Sequence, residues 1–142
     1  MADYSETPLV KKLGIKAGSN IAFVNAPVTF PDELALPENV KVNSRSKKSL
    51  DCVLLFVKSE KELRKKFAEY AERLLPAGMI WIAWPKKSSG VTTDLSFNSV
   101  QTIGLAAGLV DVKICAVSDV WSGLKFVFRL KDREQIKVQR QK

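Results

Sequence analysis

Four short segments carry the residues of this chain with the chemistry to bind a ligand: Asn25-Ala26-Pro27, Lys58-Ser59, Trp84-Pro85-Lys86-Lys87-Ser88-Ser89-Gly90 and Ser118-Asp119-Val120-Trp121-Ser122. Each follows an apolar run. In an open α/β sheet, ligands bind outside the carboxyl ends of the strands, and parallel strands would bring all four segments to one edge. That edge would collect the ammonium groups of Lys58, Lys86 and Lys87, the hydroxyls of Ser59, Ser88 and Ser89, the amide of Asn25 and the indoles of Trp84 and Trp121. Cations beside hydroxyls and a helix start suit an anionic group such as phosphate or carboxylate. The indoles can stack on a ring or simply cap the sheet. The competing reading is a solvated loop with aromatic covers.

Other chemistries find little support. The chain has no histidine, which removes the commonest general base and the commonest metal ligand. Cys52 and Cys115 each sit inside an apolar run and read as small core hydrophobes. Two thiols without histidine fall short of a zinc site, so no metal is expected. Gly90-Val91-Thr92-Thr93-Asp94 lacks the spacing of a phosphate loop. Asp94 and Asp119 could form an acid/base pair, although Asp94 could equally cap a helix. No catalytic residue is assigned.

The elements that must position these segments follow from pattern. Thr7-Pro8 to Gly14 predicts a short helix, with Thr7 as cap, Pro8 at the first helical position and Gly14 at its end. Ile21–Asn25 predicts a strand, and 39–43 a weaker, half-buried one. Asp51–Val57 is apolar on both faces, as in a parallel sheet covered by helices. Ser59 and Glu62 predict a capping box, and Leu63, Phe67, Tyr70, Ala71 and Leu74 a helical stripe ended by Pro76 and Gly78. Met79–Trp84 predicts a buried strand, Ser96–Ala107 a helix, and Val110–Val117 and Leu124–Leu130 two strands. Gly104 and Gly108 imply close helix–sheet packing. With no helix between them, the last two strands should pair antiparallel. The expectation is an α/β fold, a mostly parallel sheet with helices on both faces and an antiparallel last strand. A single domain would span 7–133, with 1–6 and 134–142 as flexible tails.

This order resembles the class I SAM-dependent methyltransferases and their Rossmann fold. Leu13-Gly14-Ile15-Lys16-Ala17-Gly18-Ser19-Asn20-Ile21-Ala22 is similar to that family's approach to its first strand. Asp51-Cys52-Val53-Leu54-Leu55 is similar to its fourth strand. Leu74-Leu75-Pro76-Ala77-Gly78-Met79-Ile80-Trp81-Ile82 resembles the turn into the fifth, and Gly104-Leu105-Ala106-Ala107-Gly108-Leu109-Val110 the lead into the sixth. Ala83-Trp84-Pro85-Lys86-Lys87-Ser88-Ser89-Gly90, with Trp121-Ser122-Gly123-Leu124-Lys125-Phe126, is also similar to a group of small bacterial proteins known as a domain of unknown function. The resemblance implies a shortened methyltransferase-like fold. Two parts of the family's cofactor site differ here. Asn25-Ala26-Pro27-Val28 stands where the family has a glycine-rich turn, and Val42-Asn43-Ser44-Arg45 where it has an acidic residue for the ribose. These departures imply that SAM binding is lost and that no cofactor is used.

The chain of 142 residues carries 23 Lys+Arg against 15 Asp+Glu, a formal charge of +8. The excess gathers at Lys41, Arg45, Lys47 and Lys48 and again from Arg129 to Lys142, a pattern that attracts anionic surfaces. No apolar run approaches the ~20 residues that span a bilayer, and the first residues lack a signal-peptide pattern, so a cytoplasmic protein without membrane contact is expected. The functional expectation is a non-catalytic binding or regulatory module with an anion-accepting edge, its partner an anionic small molecule or nucleotide. The alternatives are a divergent transferase using SAM or a nucleotide-like ligand, and a protein making weak, non-specific nucleic-acid contacts.

Overall fold

The computed structural model describes residues 8–28, 30, 34–42 and 50–140. In chain order the elements are α1 (Leu9–Leu13), β1 (Asn20–Val24), β2 (Lys41–Val42), β3 (Leu50–Phe56), α2 (Glu60–Ala71), β4 (Leu74–Pro85), a 3-10 turn (Lys87–Ser89), α3 (Phe97–Ala106), β5 (Leu109–Ala116), β6 (Trp121–Phe128) and α4 (Leu130–Arg140). The six strands form one sheet in the order β2-β1-β3-β4-β6-β5. β2, β1, β3 and β4 run parallel, and β6 is antiparallel to both β4 and β5. The mostly parallel sheet with one reversed strand is therefore present. The reversal follows from the tight β5–β6 link, closed by the Val117 N–H donating to the Trp121 carbonyl (2.9 Å).

Each face of the sheet has its own core. On one, Leu63 and Phe67 of α2, Val100 and Ile103 of α3 and Ile136 of α4 pack over Val53, Leu55, Ile80, Ile82 and Phe126. On the other, Val10 and Leu13 of α1, with Phe30 and Leu34, cover Ile21, Cys52, Leu54, Phe56 and Trp81. The alternation along β3 and β4 explains why both strands are apolar throughout: successive side chains enter opposite cores. Among the described residues, three helices cover the first face, and the five-residue α1 sits on the second together with Phe30 and Leu34.

Trp81 anchors this second side. It is fully buried, and its indole N–H donates to the Leu13 carbonyl at 2.9 Å, fixing the end of α1 on the sheet. Trp81→Phe should lower unfolding stability by about 2–3 kcal/mol, combining lost volume with an orphaned buried carbonyl. Denaturant titration would read this as a lower midpoint at unchanged slope. An unchanged midpoint would mean that the carbonyl finds another donor.

Four local expectations need correction. The first concerns α1, where Pro8 rather than a side chain occupies the N-cap position; Thr7 lies outside the described residues. Gly14 closes the helix in the left-handed conformation (φ 82°), as expected. The α2 stripe ends at Ala71 and not at Leu74, because Leu74 already pairs with Leu50 as the first residue of β4. Pro76 and Gly78 sit inside β4 where its register with β3 shifts, and a Cβ on Gly78 would meet the Leu50 carbonyl at 3.0 Å. Last, the stretch from residue 134, read from the sequence as part of a tail, is helical to Arg140. One residue, Ile136, holds it to the core, and the Arg133 Nε–H donates to the Phe128 carbonyl (3.2 Å).

Candidate functional site

β1 connects toward β2 on one side, while β3 lies on the other, so the switch in strand order falls between β1 and β3. A cleft of about 480 Å³ opens there, at the carboxyl ends of both strands, lined by Asn25, Pro27, Phe56, Lys58, Glu62 and Trp121. Its size lies within the range of small-molecule sites. Asn25 ends β1 with φ 59°, a left-handed conformation that non-glycine residues seldom adopt and that asparagine tolerates best. The turn thus takes a backbone shape that glycine usually supplies, although the residue is not glycine. The Asn25 side-chain amide donates to the Phe56 carbonyl (3.4 Å) and to Glu62 Oε2 (3.1 Å), tying the β1 turn to the β3–α2 corner.

Glu62 is the residue that sequence reasoning placed only in a capping box. Half of that box exists: Ser59 Oγ accepts from the Glu62 N–H at 3.1 Å. The Glu62 carboxylate, however, accepts from the Lys58 N–H at 3.3 Å and from Asn25, and so lines the cleft. Nothing local in the sequence distinguishes this from an ordinary helix start, because its partner lies 37 residues earlier. Trp121 supplies the opposite wall, its ring edge-on to Phe56 with centroids 5.0 Å apart.

A second cleft of about 370 Å³ lies beyond the end of β4, between the Trp84-Pro85-Lys86-Lys87 segment and Ser96 and Phe97 at the start of α3. The nine candidate residues therefore divide. Asn25, Lys58 and Trp121 meet in the first cleft, and Trp84, Lys86 and Lys87 in the second. Ser59 is occupied as the α2 cap. Ser89 Oγ donates to the Lys86 carbonyl (2.6 Å) and accepts from the Val91 N–H (3.1 Å), which shapes the loop. Ser88 is exposed on the 3-10 turn and lines neither cleft. Trp84 is 5 % exposed and belongs largely to the core, so only Trp121 presents a substantial ring.

The segment after β4 clasps the first cleft's rim. Thr93 Oγ1 donates to the Lys58 carbonyl at 2.6 Å, and Asp94 Oδ1 accepts from the Glu60 N–H at 2.8 Å. Asp94 thus caps α2, not the approach to α3, and its carboxylate is engaged there rather than with Asp119. Burial pushes the Cys52 thiol up to about 12, against the opposing charge of Lys125 and with a small addition from Asp51. Burial also raises Cys115. Neither thiol is primed as a nucleophile. No group of metal-ligating side chains occurs among the described residues. The Asn43-Ser44-Arg45 segment, where the methyltransferase pattern would place an acid, and the basic Lys47-Lys48 pair lie outside the described residues.

No protein-family model and no curated protein matches the chain, so its likeness to known proteins is one of fold. Among solved structures it is similar to a SAM-dependent methyltransferase from Aquifex aeolicus, at 16% identity over 83% of this chain and 86% of the other, with a TM-score of 0.61. It is similar to magnesium protoporphyrin IX methyltransferase from Synechocystis with bound SAH, at 9% identity over 85% and 78%, TM-score 0.57. It also resembles fibrillarin from Aeropyrum pernix in complex with natively bound S-adenosyl-L-methionine, at 14% identity over 81% and 69%, TM-score 0.55. The chain has a methyltransferase-like Rossmann fold. These matches correct two expectations, that of a non-catalytic module and that of a chain with no cofactor: the neighbours are SAM-dependent enzymes, two of them holding SAM or SAH. Nor does the missing glycine remove the left-handed turn, because Asn25 adopts it (φ 59°). Among the described residues, no helix is long and apolar enough to cross a membrane.

Proposed function

We propose that the chain is a divergent transferase that binds SAM, or a closely related nucleoside, in the cleft between the β1 turn and the β3–α2 corner. The observation that carries this reading is the position of Asn25, Lys58, Glu62 and Trp121 around one opening at the switch in strand order. Their chemistry fits such a ligand. The Lys58 ammonium suits a carboxylate, the Glu62 carboxylate suits an ammonium or a hydroxyl, and the Phe56–Trp121 pair suits a flat ring or a thioether. Bound SAM supplies a methyl group carried on a sulfonium. The chain's part is to hold and orient that ligand, with Asn25 and Thr93 fixing the rim.

The second cleft, with Lys86 and Lys87, lies along the same edge and suits an acceptor carrying an anionic group. Two free thiols fit a reducing, cytoplasmic setting.

Calorimetric titration with SAM and SAH tests the reading. Saturable binding in the micromolar range is expected, weakened about tenfold by Lys58→Ala and by a similar factor by Glu62→Gln. Absence of saturable binding of either ligand at about 1 mM would refute it, since such an affinity leaves about 4 kcal/mol or less of binding free energy.

A further inference from the structure

A cavity of about 350 Å³ opens on the opposite edge of the sheet, at the amino ends of β1 and β3, lined by Gly14, Lys16, Ser19, Asp51, Met79 and Lys125 among others. Along β3 it lies roughly 20 Å from the first cleft, at about 3.3 Å per residue. Two ammonium groups meet in it from separate elements, Lys16 from the turn after α1 and Lys125 from β6.

Lys125 is the unusual member. It is half-buried at mid-strand, opposite Trp81 on one side and Lys113 on the other. Residues directly opposite one another share a face, so two cations are placed side by side, an arrangement that costs stability. Lys113 resolves its charge by donating to the Lys12 carbonyl at the end of α1 (3.1 Å). Lys125 lies instead beside Gly14, where a Cβ would come within 3.7 Å of its Nζ, and no described carboxylate pairs with it. The carboxylate in the same cavity, Asp51, is turned to the Asn20 N–H at 2.8 Å. Gly14, with φ 82°, leaves open the space that a side chain would fill.

We propose that this cavity is a second ligand site, for a phosphate monoester, distinct from the cleft of the proposed transferase and independent of that reading. Lysine holds phosphate as a point charge, without the planar fork that arginine offers a carboxylate, and here two such charges line one cavity with the hydroxyl-bearing Ser19. Met79 and Val127 give one side an apolar wall. The volume exceeds that of a bare ion, so the organic portion of the ester would rest against that wall. Binding there would offset the Lys113–Lys125 repulsion and fasten α1 to β6.

Thermal unfolding of the full chain tests this, with about 10 mM inorganic phosphate or phenyl phosphate against sodium chloride at matched ionic strength. Phosphate should raise Tm by about 3 °C, phenyl phosphate by more, and chloride by neither amount. Lys125→Met should abolish the phosphate shift, Lys16→Ala should at least halve it, and Lys65→Ala, on the exposed side of α2, should keep it. A shift retained in Lys125→Met, or reproduced by chloride in the wild type, would overturn the site. So would no phosphate shift in the wild type. Should Lys125→Met fail to fold, an undiminished shift in Lys16→Ala would overturn it equally.

Discussion

Gly104→Ala should lower unfolding stability by about 3 kcal/mol and Tm by roughly 10 °C. Gly104 lies on the buried face of α3, against the ring of Phe126, which is itself fully buried in β6. A Cβ on Gly104 would overlap Phe126 Cε2 and fall 2.5 Å from Cζ. No rotamer change at the glycine can relieve this, because a methyl group has none. The ring has little room to retreat either, since Phe67 packs edge-on against it with centroids 5.3 Å apart. The helix must therefore lift from the sheet, and Val100 and Ile103 lift with it. Gly108→Ala provides the contrast. Nothing lies within 4 Å of its added Cβ, so its cost is the left-handed backbone alone (φ 95°), about 1 kcal/mol. Equal losses for the two variants, read by calorimetry, would show that α3 adjusts freely and that the close approach is unimportant.

The largest functional effect is expected at Trp121. Trp121→Ala should weaken SAH binding by about 30-fold or more, in line with the loss of a large aromatic wall from a small site. Trp121→Phe should retain most of the affinity. The indole stands against Phe56 and lines the same cleft as Lys58 and Glu62. Removing it both widens the opening and admits water around Lys58 and Glu62, which weakens every polar contact there. Far-UV circular dichroism separates the effect from unfolding, since Trp121 lies at the first position of β6 and only partly in the core. Wild-type affinity in Trp121→Ala with an intact fold would move the ligand elsewhere along the edge.

The parts of the structure legible in the sequence are those whose cause is local. β3 and the second half of β4 are continuous apolar runs, and α2 and α3 begin at serines whose hydroxyls accept from the N–H three residues on. The antiparallel pairing of β5 and β6 follows from a link too short for a crossover. What escaped depends on distant partners. Helix α4 is polar on most of its surface and is held chiefly through Ile136, too little for a periodic signal. Glu62 looks like any acidic residue in a first helical turn until the Asn25 amide is brought to it from β1. The turn after β1 is hard to read because absence of glycine suggests absence of the left-handed conformation, which asparagine supplies here. Trp84 and Trp121 look alike as tryptophans at strand ends. Burial separates them: one is packed into the core, whereas the other is left at the cleft.

The placement of β6 between β4 and β5 has a consequence for the order in which the chain is made. Synthesis proceeds from the amino terminus, so β5 is produced before the strand that is its sheet neighbour. Until Trp121–Phe128 has followed, β4 keeps an unpaired edge on the side away from β3, and β5 has no place in the sheet. An apolar strand with an open edge is a template for foreign pairing. The nascent protein therefore carries an open β4 edge in the interval between completing β4 and adding β6, and a ribosome pause between residues 86 and 120 would lengthen that interval. The last strand laid down fills the place between β4 and β5, one in from the rim of the sheet.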